Sequence, residues 1–416
     1  MRHEQDRATT SAELRAHNLA RLLRAVHDGG GQRTRAQLTR QLNLARGTAT
    51  VLVRELAGRQ LIEELASPAG VTAQQRARGR PTGVPSAHPE GPVALAVDLR
   101  DDSYSVAAFE LTGRGTVLDH RPRRARSGSG MLADAAATLA AYRHDFGDRV
   151  VGVGVAVPSP VSDGRMVQPT LLDWHGIDVA AAFAPEPAGV LVGNDATLAG
   201  LAEARRGALR GVSVALHLHV ATGIGGVLLA GGRPITGASG AAGEFGHMPL
   251  TGGDEPCRCG SVGCWELDAG TRGLLRRAGR SARGDRMETG DRMEEAGNII
   301  AAAAGNPVCA AALRDVAAAL GRGAGALVNA HDPEAVGLSG LAARVYQTAP
   351  AAVWSGYQST LMRFRRAAPP PLVPSRLGDL ATVTGAAELV FDEFLTPRGL
   401  GAWRESVAAP PEAESG

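Results

Sequence analysis

Between residues 93 and 230 short apolar runs alternate with Ala-rich stretches, and this alternation constrains the fold more than any other feature. Val93–Asp98 (VALAVD) and Arg149–Val157 (RVVGVGVAV) are apolar over most of their length, as strands buried on both faces are. Ser103–Phe109 follows the first closely enough to pair with it as a hairpin. Val190–Val192 runs into Gly193, Asn194 and Asp195. Val212–Val220 runs into a Gly-rich corner, Thr222–Gly226, after which Val227–Leu229 resumes the apolar pattern. Met131–Tyr142 and Ala196–Arg206 read as the helices between them. Such alternation builds an α/β layer fold, and Gly- and Asp-rich strand ends are where such folds hold ligands.

The first ninety residues differ in charge and in period. They hold 14 Arg against 8 Asp or Glu, a net of +6 in a chain whose total is +2, so the remainder carries −4. A basic first fifth on a mildly acidic body points to a nucleic-acid-binding unit on a separate folded body; chance clustering is the bland alternative. Asn18–Asp28 spaces Leu19, Leu22, Leu23 and Val26 as a helix, ended by Gly29–Gly31. Thr34 is placed to cap a second helix with Leu38 and Leu42 on one face. After Asn43-Leu44, a third helix buries Leu52, Val53 and Leu56 and turns Arg46, Thr48, Thr50 and Arg54 elsewhere. Two short helices across a tight turn, followed by Leu61–Leu65 as the start of a wing, read as a winged helix-turn-helix; a plain three-helix bundle is the alternative. Arg35, Arg46, Thr48, Thr50 and Arg54 are the candidate DNA contacts of this head. Arg78 and Arg80 join them from the basic stretch Arg76–Pro81, where Arg beside Gly suits a narrow minor groove. Pro81, Pro85, Pro89 and Pro92 also give that stretch the character of a solvated linker.

With 44% apolar and 21% charged residues, the chain is a globular protein and not a disordered or collagen-like one. No uninterrupted run of 18 apolar residues predicts a spanning helix. MRHEQDRATTSAEL lacks the apolar core of a signal peptide, so a cytoplasmic location is the expectation. Three of the four cysteines fall within Cys257–Cys264, a crowding that points to metal binding or reactivity.

Several of these residues carry a resemblance. Gly243-Glu244-Phe245-Gly246-His247, followed by Cys257-Arg-Cys259 and Cys264-Trp-Glu266, resembles the ROK family (repressor, open reading frame, kinase). Asn194-Asp195-Ala196 and Ala221–Gly226 resemble it too. The order of helix-turn-helix, Gly-Arg-Pro segment and body is that of ROK transcriptional regulators, from about residue 15 to 400. The resemblance implies an N-terminal winged helix-turn-helix followed by an α/β actin-like, sugar-kinase-like domain of two lobes with the ligand between them. It divides the chain into a DNA-binding domain (1–75), a basic Gly/Pro linker (76–92), a sugar-binding domain (93–400) and a disordered tail (401–416). It also implies that Asn194, Asp195, Glu244, His247 and Glu266 bind sugar.

One imidazole and three thiols, from His247, Cys257, Cys259 and Cys264, form a closed tetrahedral set suited to Zn²⁺ with no open position for water. Gly260 and Gly263 permit the tight path. Cys309 lies outside the set and reads as a small apolar helix residue. His247 would give one ring nitrogen to zinc and turn the other side to the ligand.

Asp195 also matches the catalytic base of ROK kinases, so a kinase transferring phosphate from ATP to a hexose is the competing reading. A phosphate turn needs small residues so that backbone N–H groups approach the anion. Here the turn is Asp98-Leu99-Arg100-Asp101-Asp102-Ser103, with no glycine and two added acids. Thr222–Gly226 survives, although Val227 stands where kinases often have Gly. The expectation is therefore a non-enzymatic, sugar-responsive repressor of carbohydrate uptake or catabolism genes. Its partners are operator DNA and a sugar effector, its assembly a homodimer or homotetramer, with no membrane. Ala45 replaces the usual Ser cap of the recognition helix, Gly47 weakens its first turn, and Val51 stands where Arg is frequent. Over 341–376 the pattern drifts, and Gly284–Glu295 holds a near-duplicate that reads as an insertion.

Overall fold

The structure is a computed structural model that describes residues 10–66, 83–123, 128–162, 165–166, 178–183, 189–280 and 289–403. It opens with three helices, α1 (Ser11–Asp28), α2 (Arg35–Gln41) and α3 (Arg46–Gly58). A capping box between Thr10 and Glu13 starts α1, earlier than the apolar period, because its first turns are polar and exposed. Thr34 and Gln37 make the same box for α2. At the start of α3, Ala45 offers no side-chain cap, in keeping with the sequence. Strand β1 (Ile62–Leu65) pairs antiparallel with β2 (Val84–Ala87), Ile62 opposite Ala87 and Leu65 opposite Val84. The stretch read as linker therefore supplies a second strand, drawn in by the burial of Val84 and Ala87. Residues 67–82 between the strands, with Arg78 and Arg80, lie outside the described residues. Only His88–Pro92 separate β2 from the body, and the Arg149 guanidinium donates to the Gly91 and Pro89 carbonyl oxygens across them.

The body is one topology used twice. In the first sheet, β3 (Val93–Leu99) pairs antiparallel with β4 (Ser103–Glu110), which pairs with β5 (Gly115–Pro122); on its other side β3 is parallel to β6 (Val150–Val157). A two-stranded ribbon, β7 (Val161–Ser162) with β8 (Arg165–Met166), precedes the edge strand β9 (Val190–Asn194). In the second sheet, β10 (Val214–Val220) pairs antiparallel with β11 (Ile224–Ala230) and through it with β12 (Arg233–Pro234), and parallel with β13 (Ala335–Gly340) and then β14 (Leu372–Pro374). Helices α4 (Gly128–Phe146) and α5 (Val179–Ala182) belong to the first lobe. The second carries α7 (Glu266–Ala269), α8 (Thr271–Arg277), α9 (Thr289–Ala302), α10 (Pro307–His331), α11 (Leu341–Thr348) and α12 (Pro350–Thr360). Between the sheets run α6 (Asp195–Arg206) and α13 (Ala381–Phe394), and α14 (Pro397–Ala402) follows.

Three sequence expectations change here. The drifting stretch 341–376 is regular: two helices and a parallel edge strand, with Tyr357 fully buried and its hydroxyl donating to the Pro370 carbonyl. Its helices are short and Pro350 starts the second, which broke the period. The body does not end at 400, because buried Trp403 donates its indole N–H to the Arg59 carbonyl at 2.8 Å; residues 404–416 lie outside the described ones. Finally, the head is not a separate folded unit. Leu19, Leu23, Leu56 and Ile62 share one continuous apolar cluster with Phe109, Leu198, Phe391 and Trp403. Among the described residues, no single helix is long and apolar enough to cross a membrane.

Candidate ligand cleft and metal centre

The two sheets meet at a cleft of about 550 Å³. Asn194, Asp195, Glu244, His247 and Glu266, the five sugar candidates, all line it, and so does the turn Asp98–Ser103. Asn194 and Asp195 stand at the C-terminal end of the parallel strand β9, where such folds hold ligands; Glu244 and His247 come from a short turn after β12, and Glu266 from the start of α7. Asn194 ends β9 and caps α6, its side-chain oxygen accepting from the Thr197 amide at 2.9 Å. Its amide donates to Asp195 Oδ1 at 3.0 Å, which also accepts from the Ala196 amide at 2.7 Å. Burial, then the charges of Asp98 and Glu244, push the Asp195 carboxyl up to about 7. Burial likewise raises Glu244. An acid poised near neutrality can accept or donate a hydrogen bond to a hydroxyl, which suits a sugar and equally suits a base.

One side of the cleft is formed by the turn Asp98–Ser103, which is bonded to itself. Arg100 Nε donates to Asp98 Oδ2 at 2.8 Å, and the Arg100 amide donates to the Ser103 carbonyl at 2.9 Å. Burial pushes the Asp101 carboxyl up to about 6, and its Oδ1 has no hydrogen-bond partner among the described residues. The apolar strand β10 also carries two histidines that motif reading passed over. His217 Nε2 and His219 Nδ1 approach the Ser339 hydroxyl at 2.9 and 2.8 Å, and His219 reaches the cleft. Burial pushes His217 down to about 4 and His219 to about 3, so both rings are neutral at pH 7. The available signal was a polar residue at alternate positions of a buried strand, His217 and His219 in VALHLHV.

Beside the cleft, the donor atoms of His247, Cys257, Cys259 and Cys264 lie within 4.8 Å of one another, a cluster that could hold a metal ion. Cys257 Sγ is 3.5 Å from His247 Nδ1 and Cys259 Sγ is 3.6 Å from Cys264 Sγ. A tetrahedron with metal–sulfur bonds near 2.3 Å has edges of about 3.8 Å, so the donor set fits. His247 Nδ1 faces the thiols, while Nε2 faces Glu244 Oε2 at 3.7 Å. The Cys257 thiol donates to Glu266 Oε1 at 3.3 Å, tying the cluster to a cleft carboxylate. Burial pushes the Cys257 thiol up to about 12, and a cation held by the cluster would lower it. Buried Trp265 anchors the loop through its indole N–H to the Ala319 carbonyl of α10, and Gly323 gives its ring room. Cys309 is buried in α10, away from the set.

The DNA candidates divide. Arg46, Thr48 and Arg54 lie exposed on one side of α3 with Val51 between them. Thr50 returns its hydroxyl to the Arg46 carbonyl at 3.0 Å. Arg35 is engaged within the head, its amide bonded to the Gly83 carbonyl and its guanidinium 3.4 Å from Glu64.

Two lobes of one repeated topology, crossed by α6 and α13 and closing on a ligand cleft, define the actin-like, sugar-kinase-like class. The ROK family pattern matches residues 94–393, and the chain belongs to that family. The kanosamine kinase of Amycolatopsis mediterranei (strain S699) is 33% identical over 276 residues, 62% of this chain and 82% of that protein. The xylose repressor of Bacillus subtilis (strain 168) is 30% identical over 129 residues, 30% of this chain and only 34% of that protein. A solved ROK family transcriptional regulator, a homologue of the E. coli MLC protein, superposes with a TM-score of 0.70 at 22% identity. That fold likeness covers 92% of this chain and 98% of the other, and so extends well ahead of residue 94.

Proposed function

We propose that this protein is a sugar-responsive, DNA-binding transcriptional regulator, a repressor acting as a homodimer or homotetramer. One observation carries the reading: a basic three-helix head, with Arg46, Thr48 and Arg54 exposed along α3, is built into the same apolar core as the lobe that forms the cleft. In this reading the head is a winged helix-turn-helix, α3 enters the major groove, and the β1–β2 hairpin is its wing. Arg78 and Arg80, between those strands in sequence, follow the backbone or minor groove. Arg35 positions the wing through Glu64.

In the cleft, Asn194, Asp195, Glu244, His247 and Glu266 hold sugar hydroxyls, each of which can donate and accept. His247, Cys257, Cys259 and Cys264 are the residues that would hold Zn²⁺, which when bound would favour the thiolates and brace the loop. His247 Nε2 and Glu266 are then oriented toward the sugar by a rigid support. Sugar occupancy shifts lobe geometry, and with it the spacing of two heads on a two-fold operator.

A second reading, a ROK sugar kinase, is favoured by the Asp195 carboxyl standing at about 7, as a general base would. Against it, Arg100 is tied to Asp98 where phosphate oxygens would lie, and Asp101 and Asp102 add like charge. The test is selection of bound duplexes from a random-sequence DNA library, then footprinting. A two-fold site whose affinity falls steeply with salt, and falls again in Arg46→Ala, supports the regulator. Salt-insensitive or sequence-indifferent binding overturns it.

A further inference from the structure

A polar cluster buried between head and body lies outside the cleft, and both helices that cross between the lobes connect the two. Helix α6 begins at Asn194 and Asp195, and α13 places Thr382 in the cleft with its first turn. The C-terminal end of α6, about 16 Å from Asp195 at 1.5 Å per residue, brings Arg205 and Arg206 against Glu388 in the middle of α13 and Asp392 in its last turn. Glu388 accepts from Arg205 Nη1 at 3.0 Å and from Arg206 Nε at 2.7 Å. Arg205 also holds Asp392 by both its oxygens, at 3.0 and 2.7 Å.

Into this cluster α1 inserts its last turn. His27 is fully buried; its Nδ1 donates to the Leu111 carbonyl at 2.5 Å, and its Nε2 lies 3.1 Å from Glu388 Oε2. Arg206 Nη1 donates to the His27 carbonyl at 2.6 Å, and Arg24 Nη1 donates to Asp392 Oδ1 at 2.5 Å. The His27 ring packs on Phe391 of α13, 4.9 Å between centroids. The two helices are in backbone contact where they cross: a Cβ at Gly385 would overlap the Leu198 carbonyl. A contact this close leaves neither helix room to shift at the crossing without the other.

We propose that α6 and α13 transmit cleft occupancy to the DNA-binding head, with His27, Arg206 and Glu388 converting their displacement into a tilt of α1. This rests on the sugar-sensor reading and adds its route of regulation. Helices in a close-packed interior transmit displacement because they have few alternative packings. Coupling is reciprocal, so operator DNA must alter sugar affinity by the same factor.

The experiment uses the full chain, His27→Gln and Arg24→Ala, with D-glucose, D-xylose and kanosamine as probes. Calorimetry reads sugar binding, and hydrogen exchange reads the amides of Ser11–Asp28 with and without the sugar that binds. In the unaltered protein the bound sugar should change α1 exchange by about fivefold or more. Both variants should keep the sugar Kd within about twofold and lose most of that response. If His27→Gln does not fold, Arg24→Ala carries the test, because its side chain is 30% exposed at the rim of the cluster. Sugar binding with no response in α1, or a full response in the folded variants, overturns the proposal. Failure of all three sugars to bind overturns the sensor reading beneath it.

Discussion

Replacing Glu388 by Ala removes the acceptor at the centre of the head–body seam. The carboxylate is 1% exposed and faces His27, Arg205 and Arg206 at 3.1, 3.0 and 2.7 Å. Charge-assisted hydrogen bonds contribute about 1.5–3 kcal/mol each, but the partners are not all orphaned. Arg205 keeps Asp392, Arg206 keeps the His27 and Thr112 carbonyls, and His27 keeps Leu111. The expected loss is therefore about 3–4 kcal/mol, within the range for breaking one side of a buried ion pair. Burial alone would raise this carboxyl; the hydrogen bond and charge of His27, with Arg206 and Arg205, reverse that and hold it well below the usual range. A depressed carboxyl contributes stability above its ordinary value of 4.5, and that stability is lost as pH falls through the folded value. Urea unfolding followed by tryptophan fluorescence, which includes Trp403 at the seam, should show the full gap at pH 7 and a shrinking gap below about pH 4. A penalty under about 1 kcal/mol, or a gap that stays constant down to pH 3, would refute the reasoning.

Asp195→Asn should stabilise the protein at pH 8, because a carboxyl raised to about 7 opposes folding when ionised; the gain should fade as pH drops toward 4, which thermal melts across pH will read. Gly323→Ala places a methyl against the Trp265 ring, and should lose about 1–3 kcal/mol by overpacking and lower metal content with it. Cys259→Ser should reduce bound Zn²⁺ well below one per chain by metal analysis, whereas Glu244→Ala should leave the metal in place and weaken sugar binding; equal metal loss in both would sink the division of roles.

The parts of the fold most legible in sequence were those where a single local rule dominates. Buried strands such as Val93–Leu99 announce themselves by composition, Thr34 as a helix cap by residue type, and the cysteine loop by spacing. Long-range competition hid the rest. Val84–Ala87 looks like a linker because of Pro85, yet becomes a strand once β1 offers an edge. Residues 341–376 looked irregular because Pro350 and Pro369–Pro371 punctuate short elements whose burial comes from α10 and β13. The five cleft residues could be named from motifs, but the His217–Ser339–His219 contact joins two strands distant in the chain. The seam is less legible still: His27, Arg206 and Glu388 lie on three helices and each reads alone as a surface residue. Nothing local reports that the head and the body share one core.

A regulator of this kind must couple sugar and DNA binding through one chain. Operator duplex recovered by selection, labelled for fluorescence anisotropy, should bind the full protein in the absence of sugar. D-glucose, D-xylose or kanosamine, whichever binds by calorimetry, should shift that affinity by about tenfold, with no phosphate transferred from ATP to the sugar. DNA affinity indifferent to a bound sugar, together with ATP-dependent phosphorylation that disappears in Asp195→Asn, would contradict it and establish the kinase.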